Sequence, residues 1–259
     1  MRLFKKPLPK IRFFSVVPTA NTLYPIIHAK ELKREWVDSE KKEHREKVKR
    51  CPFAAFDLRI TKCPAITEYM STGFILVAPA DIKINVTESG KVEPSYNKLF
   101  EWDYVQLHSP SHGGYLLDSG KEYTSPTVIK INTPWRALVD KDIIFLQTKV
   151  HFNKESRFTP ATGIFDPRVG YEMNVQLFWH VRKGEEIIKA GTPLCQYIPL
   201  SRSLLMSNDY SIDEMTQIEY QMEIEHRYAQ NSTLRETTSV AHRQLKTTKI
   251  TDKYRNKRE

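Results

Sequence analysis

Residues 162–200 constrain this chain more than any other stretch: TGIFDPRVGYEMNVQLFWHVRKGEEIIKAGTPLCQYIPL. Met173, Val175, Leu177 and Trp179 alternate with Glu172, Asn174, Gln176, Phe178 and His180. A helix aligns residues three and four apart, so this period of two predicts a half-buried strand over 172–181. Gly184 marks a turn, and 187–189 a short second strand. Ala190-Gly191-Thr192-Pro193 marks another turn, followed by a last strand over 194–198 closed by Pro199. Strands joined by such short turns pair antiparallel.

The same reading extends over most of the chain. Strands are predicted at 53–60, 73–77, 82–86, 102–107, 127–131 and 143–150, with turn-rich segments at 87–97, 109–114 and 154–170. Many short strands with no helices between them predict a mainly β fold. Residues 51–202 are expected as an antiparallel, jelly-roll-like sandwich or roll. A further strand is predicted at 11–17. Residues 29–50 lack Gly and Pro and carry a thin apolar stripe of Leu32, Trp36, Val37 and Val48, the pattern of a charged surface helix. Cys51-Pro52 ends it. The expected organisation is an N-terminal segment with this helix (1–50), the β domain (51–202), and a C-terminal helix with a flexible basic tail (203–259).

Several function classes drop out. No Gly-x-Gly-x-x-Gly or P-loop pattern is present. No run approaches the roughly 18 apolar residues of a membrane span, so no membrane partner is expected. Pro7 and Pro9 interrupt the place where a secretion signal needs an apolar run. The three cysteines include no C-x-x-C pair, which argues for reduced structural thiols and against a zinc site. A cytoplasmic protein is expected.

Net charge is +9 and the pI about 9.3, which admits a polyanionic partner. From Arg227 onward nine Lys and Arg face three Asp and Glu. Residues 232–259 have few apolar anchors and are expected to stay mobile until a nucleic acid or an acidic protein surface orders them. Tyr254 is the sole aromatic there, so stacking on single strands is not expected. Upstream, Met215, Ile218 and Met222 recur at helical spacing after Asp213 and Glu214, a face suited to docking a partner or a second copy.

Thr133-Pro134-Trp135-Arg136 offers two readings. A Trp beside an Arg after a Pro turn can stack a base or a sugar; equally, the Trp can cap the core while the Arg stem lies along it. His108 and His112 stand four apart in a Ser/Pro/Gly loop, where that spacing does not align two rings as it does on a helix. An oxygenase iron site needs His-x-Asp/Glu plus a distal His, and His44-Arg45-Glu46 lies on the charged helix. No metal or cofactor is expected.

A series of motifs resembles an uncharacterised family of phage and bacterial β-proteins. They are Trp36-Val37-Asp38, Cys51-Pro52, GFILVAP at 73–79, IKINTPW at 129–135, TGIFD at 162–166 and KAGTPLCQYIP at 189–199. That resemblance covers about 36–202 and implies a compact β fold and a phage-like setting, with no activity attached. The family's TP-x-GYS segment is replaced here by 136–142. A second set is similar to the trimeric dUTPases and dCTP deaminases: Ala54-Ala55-Phe56-Asp57-Leu58, then Gly163-Ile164-Phe165-Asp166, then Gly191 to Gln196. This resemblance implies a β-roll in which Asp166 orients a water against a nucleotide. The family's Ser-rich phosphate motif is missing, with 109–114 a remote substitute.

The leading expectation is therefore a non-catalytic structural, accessory or binding module. Its binding candidates are Trp135, Arg136, Asp166, Arg168, Gln196, His108 and His112. A metal-dependent nucleotide hydrolase using Asp166, and a nucleic-acid-associated protein acting through its tail, are the alternatives.

Overall fold

The computed structural model describes residues 10–57, 59–97, 103–109, 111, 127–235 and 240–255. Among these, thirteen strands run in chain order: β1 (Ile11–Ser15), β2 (Ile27–His28), β3 (Phe74–Val77), β4 (Ile82–Val86), β5 (Val92–Tyr96), β6 (Val105–His108), β7 (Val128–Val139), β8 (Ile143–Thr148), β9 (Phe158–Pro160), β10 (Gly163–Phe165), β11 (Glu172–Trp179), β12 (Gly184–Ile188) and β13 (Pro193–Ser201). The helices are α1 (Ala20–Leu23), α2 (Glu35–Arg50), α3 (Pro64–Ser71), α4 (Arg202–Leu205), α5 (Gln217–Arg235) and α6 (Val240–Arg255). The chain divides into two compact units, one reaching to Met206 and one from Ser207.

Every strand pairing of the first unit is antiparallel among the described residues. One sheet runs β1-β7-β11-β9, with β6 also on β7; a second runs β10-β8-β13-β3-β2; a third runs β12-β4-β5. All three contribute to one core. Ile129, Ile131, Met173, Val175, Leu177 and Trp179 come from the first sheet, Leu76, Phe145, Cys195 and Tyr197 from the second, and Ile82, Ile84 and Ile188 from the third. The predicted alternation in 172–179 holds residue by residue, with Met173, Val175, Leu177 and Trp179 fully buried. The mainly β class read from the sequence is therefore the observed one.

Individual elements differ where a tertiary contact outweighs local propensity. The long helix over 29–50 breaks into a 3₁₀ turn (Ala29–Glu31) and α2. Between them Arg34 is extended and buried, its Nη1 3.4 Å from the carbonyl of Met70 at the end of α3. A cation there complements the carbonyl end of a helix. The described residues of 53–60 are not a strand. Pro52–Phe56 and Ile60–Lys62 form 3₁₀ turns, and the segment folds back on α2. Arg59 forks onto Glu40 at 2.6 and 2.5 Å, and Lys47 reaches Asp57 at 2.5 Å. The turn-rich segments 87–97 and 154–170 contain β5, β9 and β10. Pro199 does not end the last strand, which continues to Ser201.

Residues 133–136 are not a turn either. They lie within β7, where a bulge sets three residues of β7 (133–135) against one of β11 (Met173): Arg136 pairs with Glu172 and Asn132 with Asn174. Two extra residues preserve the inward and outward phase of both strands. Pro134 falls at this irregularity, the position in a paired strand that tolerates a missing N–H. Thr133 Oγ1 closes the gap by donating to the Met173 carbonyl at 2.5 Å.

In the second unit, α5 begins at Gln217, so Met215 lies before the helix and Asp213 and Glu214 are not in its first turn. Thr216 and Glu219 form a reciprocal cap: Thr216 N donates to Glu219 Oε2 at 2.8 Å, and Glu219 N donates to Thr216 Oγ1 at 3.3 Å. The segment expected as a mobile tail carries α6. Within the chain it finds a partner, because Lys253 and Tyr254 both reach Glu225 of α5, at 2.9 and 2.7 Å.

Candidate functional site

The outer face of the β6-β7-β11 sheet is polar because the strands alternate. Cross-strand pairing puts Gln106 of β6, Lys130 of β7 and Gln176 of β11 in one row, with Asn132 and Asn174 in the next. The side chains of Gln106, Lys130, Asn174 and Gln176 make no hydrogen bond or ion pair to other described residues. Lys130, Asn174 and Gln176 are half-buried. Beyond the bulge, Arg136 pairs with Glu172 at 3.3 Å and donates to the carbonyls of Thr133 (3.0 Å) and Trp135 (2.9 Å). Its guanidinium lies 6.0 Å from the centre of the Tyr171 ring.

Two concavities meet on this face. The smaller, about 380 Å³, lies among Asp103, Gln106, Lys130, Asn132 and Arg136. The larger, about 790 Å³, runs along β10 and the 161–171 loop and is lined by Gln147, Thr162, Asp166, Tyr171 and Gln176. Glu172 and Asn174 line both. The floor of the larger groove is held rigidly. Gln147 Nε2 donates to the Ala161 carbonyl at 2.8 Å, and the buried Tyr197 hydroxyl donates to Gln147 Oε1 at 2.6 Å. Burial pushes the Tyr197 hydroxyl well above the usual phenol range, so it stays a proton donor.

Asp166 sits on the rim of this groove and is fully engaged. Its carboxylate accepts the Arg168 backbone N–H at 3.0 Å, Arg168 Nε and Nη2 at 3.1 Å each, and Arg202 Nη2. The Arg168 contact, opposed only in part by desolvation, lowers its pKa to about 2. Its own backbone carbonyl accepts the N–H groups of Val169 and Gly170. Asp166 thus closes a turn and anchors β10 to the start of α4.

The sequence candidates therefore separate. Asp166 lines the larger concavity, Arg136 lines the smaller, and Arg168 is committed to Asp166. Trp135 is buried, its Nε1 donating to the Tyr24 carbonyl at 3.0 Å, so it caps the core rather than offering a stacking face. Gln196 is fully buried and donates to the carbonyls of Tyr69 and Thr72 at 3.2 and 2.7 Å. It belongs to the end of α3, not to the groove. His108 ends β6, half-buried; His112 lies outside the described residues. The predicted set misses Gln106, Lys130, Asn174, Gln176 and Gln147. Four of these are outward-facing positions of strands adjacent in the sheet, a signal that needs the pairing register to be seen.

The comparisons add little. No protein-family model matches the chain, and no curated protein matches it, so the resemblance to the phage and bacterial family stands on its motifs alone. Among solved structures, a native EIAV dUTPase is similar at 17% identity over 56% of this chain and 84% of that one, with a TM-score of 0.29. A likeness at that score carries no argument for activity.

Proposed function

We propose that the β unit is a non-catalytic module that binds a small polar ligand on the outer face of the β6-β7-β11 sheet. One observation carries this reading. Gln106, Lys130, Asn174 and Gln176 stand side by side with no side-chain hydrogen bond or ion pair to another described residue, and Asn174 and Gln176 border the groove whose floor Gln147 and Tyr197 fix. Each amide offers two donors and an acceptor, and Lys130 adds a cation. Half-buried polar groups held ready in a concave surface fit a ligand that replaces their water. The test is isothermal titration of the full chain with nucleotides, sugars and amino acids. At least one class binds, and Lys130→Ala or Gln176→Ala weakens that binding about tenfold, roughly one charge-assisted hydrogen bond. Absence of binding across the panel overturns the reading.

The alternative nucleotide hydrolase rests on Asp166 at the groove rim. A general base works best with a pKa near the working pH, and Asp166, held by two arginines near 2, is far from that. The residues do not fit a protein-bound magnesium ion, since Asp166 and Glu172 are each paired with arginine. Incubation with deoxynucleotides and magnesium decides it: pyrophosphate release that disappears in Asp166→Asn would replace the binding reading. A nucleic-acid role for 232–259 rests on charge alone. Salt-dependent duplex binding by the full chain that is lost by a chain ending at Asn231 would establish it.

A further inference from the structure

We propose that the second unit is a self-association surface, in which the acidic, apolar side of α5 in one copy seats the basic α6 of a second. Helix α5 turns Met222, Glu225, His226 and Ala229 toward α6; these are at least half-buried, and Glu225 holds Lys253 and Tyr254. At 100° per residue, Tyr220, Ile224 and Tyr228 form a stripe on the other side, exposed at 50%, 45% and 75%. The segment leading into the helix adds Tyr210, Ile212 and Met215, also exposed. Tyr254 is the one buried hydrophobic residue of this unit among the described side chains. A two-helix hairpin is marginal alone, and a contiguous apolar patch of this kind marks an interaction surface.

Charge identifies the occupant. Residues 207–226 contain Asp209, Asp213, Glu214, Glu219, Glu223 and Glu225 and no Lys or Arg, and of the basic residues that follow in α5, Arg227 is paired with Glu223. Helix α6 contains Arg243, Lys246, Lys249, Lys253 and Arg255 against Asp252. The hairpin is thus complementary to itself. A two-fold pairing of hairpins sets the acidic side of each against the basic helix of the other, and buries both apolar stripes. A polyanion would satisfy α6 and be repelled by 207–226.

Sedimentation velocity of the full chain across the micromolar range tests this. The chain dimerises, and its dissociation constant rises as salt is added. Ile224→Arg raises that constant about tenfold or more, placing a charge in the apolar seam. Lys249→Glu, at an exposed position with no partner among the described residues, raises it several-fold without touching packing. Far-UV circular dichroism verifies that both variants keep their helices. A monomeric wild type, or a dimer that both variants leave unchanged, overturns the proposal.

Discussion

The two units of this chain are built on opposite terms. In the β unit, side chains from three sheets meet in one core, with Trp179, Phe145, Ile129 and Leu177 entirely removed from water. In the hairpin, the helices touch along one seam held by Glu225, Lys253 and Tyr254, and large apolar side chains remain outside. The lesson lies in where each unit's stability resides. The β unit is stabilised chiefly by burial, which is local to the unit and which ionic screening leaves largely untouched. Among the described residues, the hairpin's cross-helix side-chain bonds run from Lys253 and Tyr254 to Glu225, and salt weakens the ionic one.

Core truncation probes the first side of that contrast hardest. Trp179 stacks on Phe158 at 6.4 Å with the rings 11° from parallel. Trp179→Ala removes a fully buried side chain and lowers unfolding free energy by about 3–5 kcal/mol, measured by urea titration of tryptophan-independent circular dichroism. A loss under about 1 kcal/mol would contradict a close-packed core.

Next in size is Gly73→Ala. Gly73 has φ +78° immediately before β3, and a Cβ there would lie 2.2 Å from the Tyr197 carbonyl oxygen. The left-handed conformation costs roughly 1–2 kcal/mol for a non-glycine residue, and displacing a core strand adds to it. Its melting temperature falls sharply while the far-UV signal of the hairpin is retained.

The acid response of Asp166 is smaller. Its pKa is lowered to about 2, chiefly by Arg168, so the stability it contributes is complete above the ordinary carboxylate value and is lost as pH falls toward 2. After allowance for solvent screening, that contribution is about 1–2 kcal/mol. Asp166→Asn is less stable than the parent near neutrality, and the two converge in acid. Chemical denaturation at a series of pH values measures the convergence; a constant difference at every pH would show that Asp166 contributes nothing through its charge.

The smallest effect sharpens the other side. Tyr254→Phe removes the hydroxyl that donates to Glu225 at 2.7 Å. Helicity of the hairpin drops while the β-unit melting transition stays in place. Loss of both transitions together would mean that the units do not behave separately.

The residue pattern alone determined the class of this protein and much of its strand inventory. Period-two alternation in 172–179 and the Gly and Pro punctuation around 184–193 act over a few residues, and no distant contact is needed to read them. The Thr216–Glu219 cap is equally local. Only the tertiary structure decided that Arg34 interrupts a helical pattern to reach the Met70 carbonyl, and that residues 53–60 fold onto α2 instead of joining a sheet. The same holds for the site. Trp135 and Gln196 turn inward, Asp166 is locked between Arg168 and Arg202, and Gln106, Lys130 and Gln176 become neighbours. These last three stand 24 and 46 residues apart in sequence, and their alignment follows from strand register, which free-energy minimisation over the whole core selects and which no local pattern encodes.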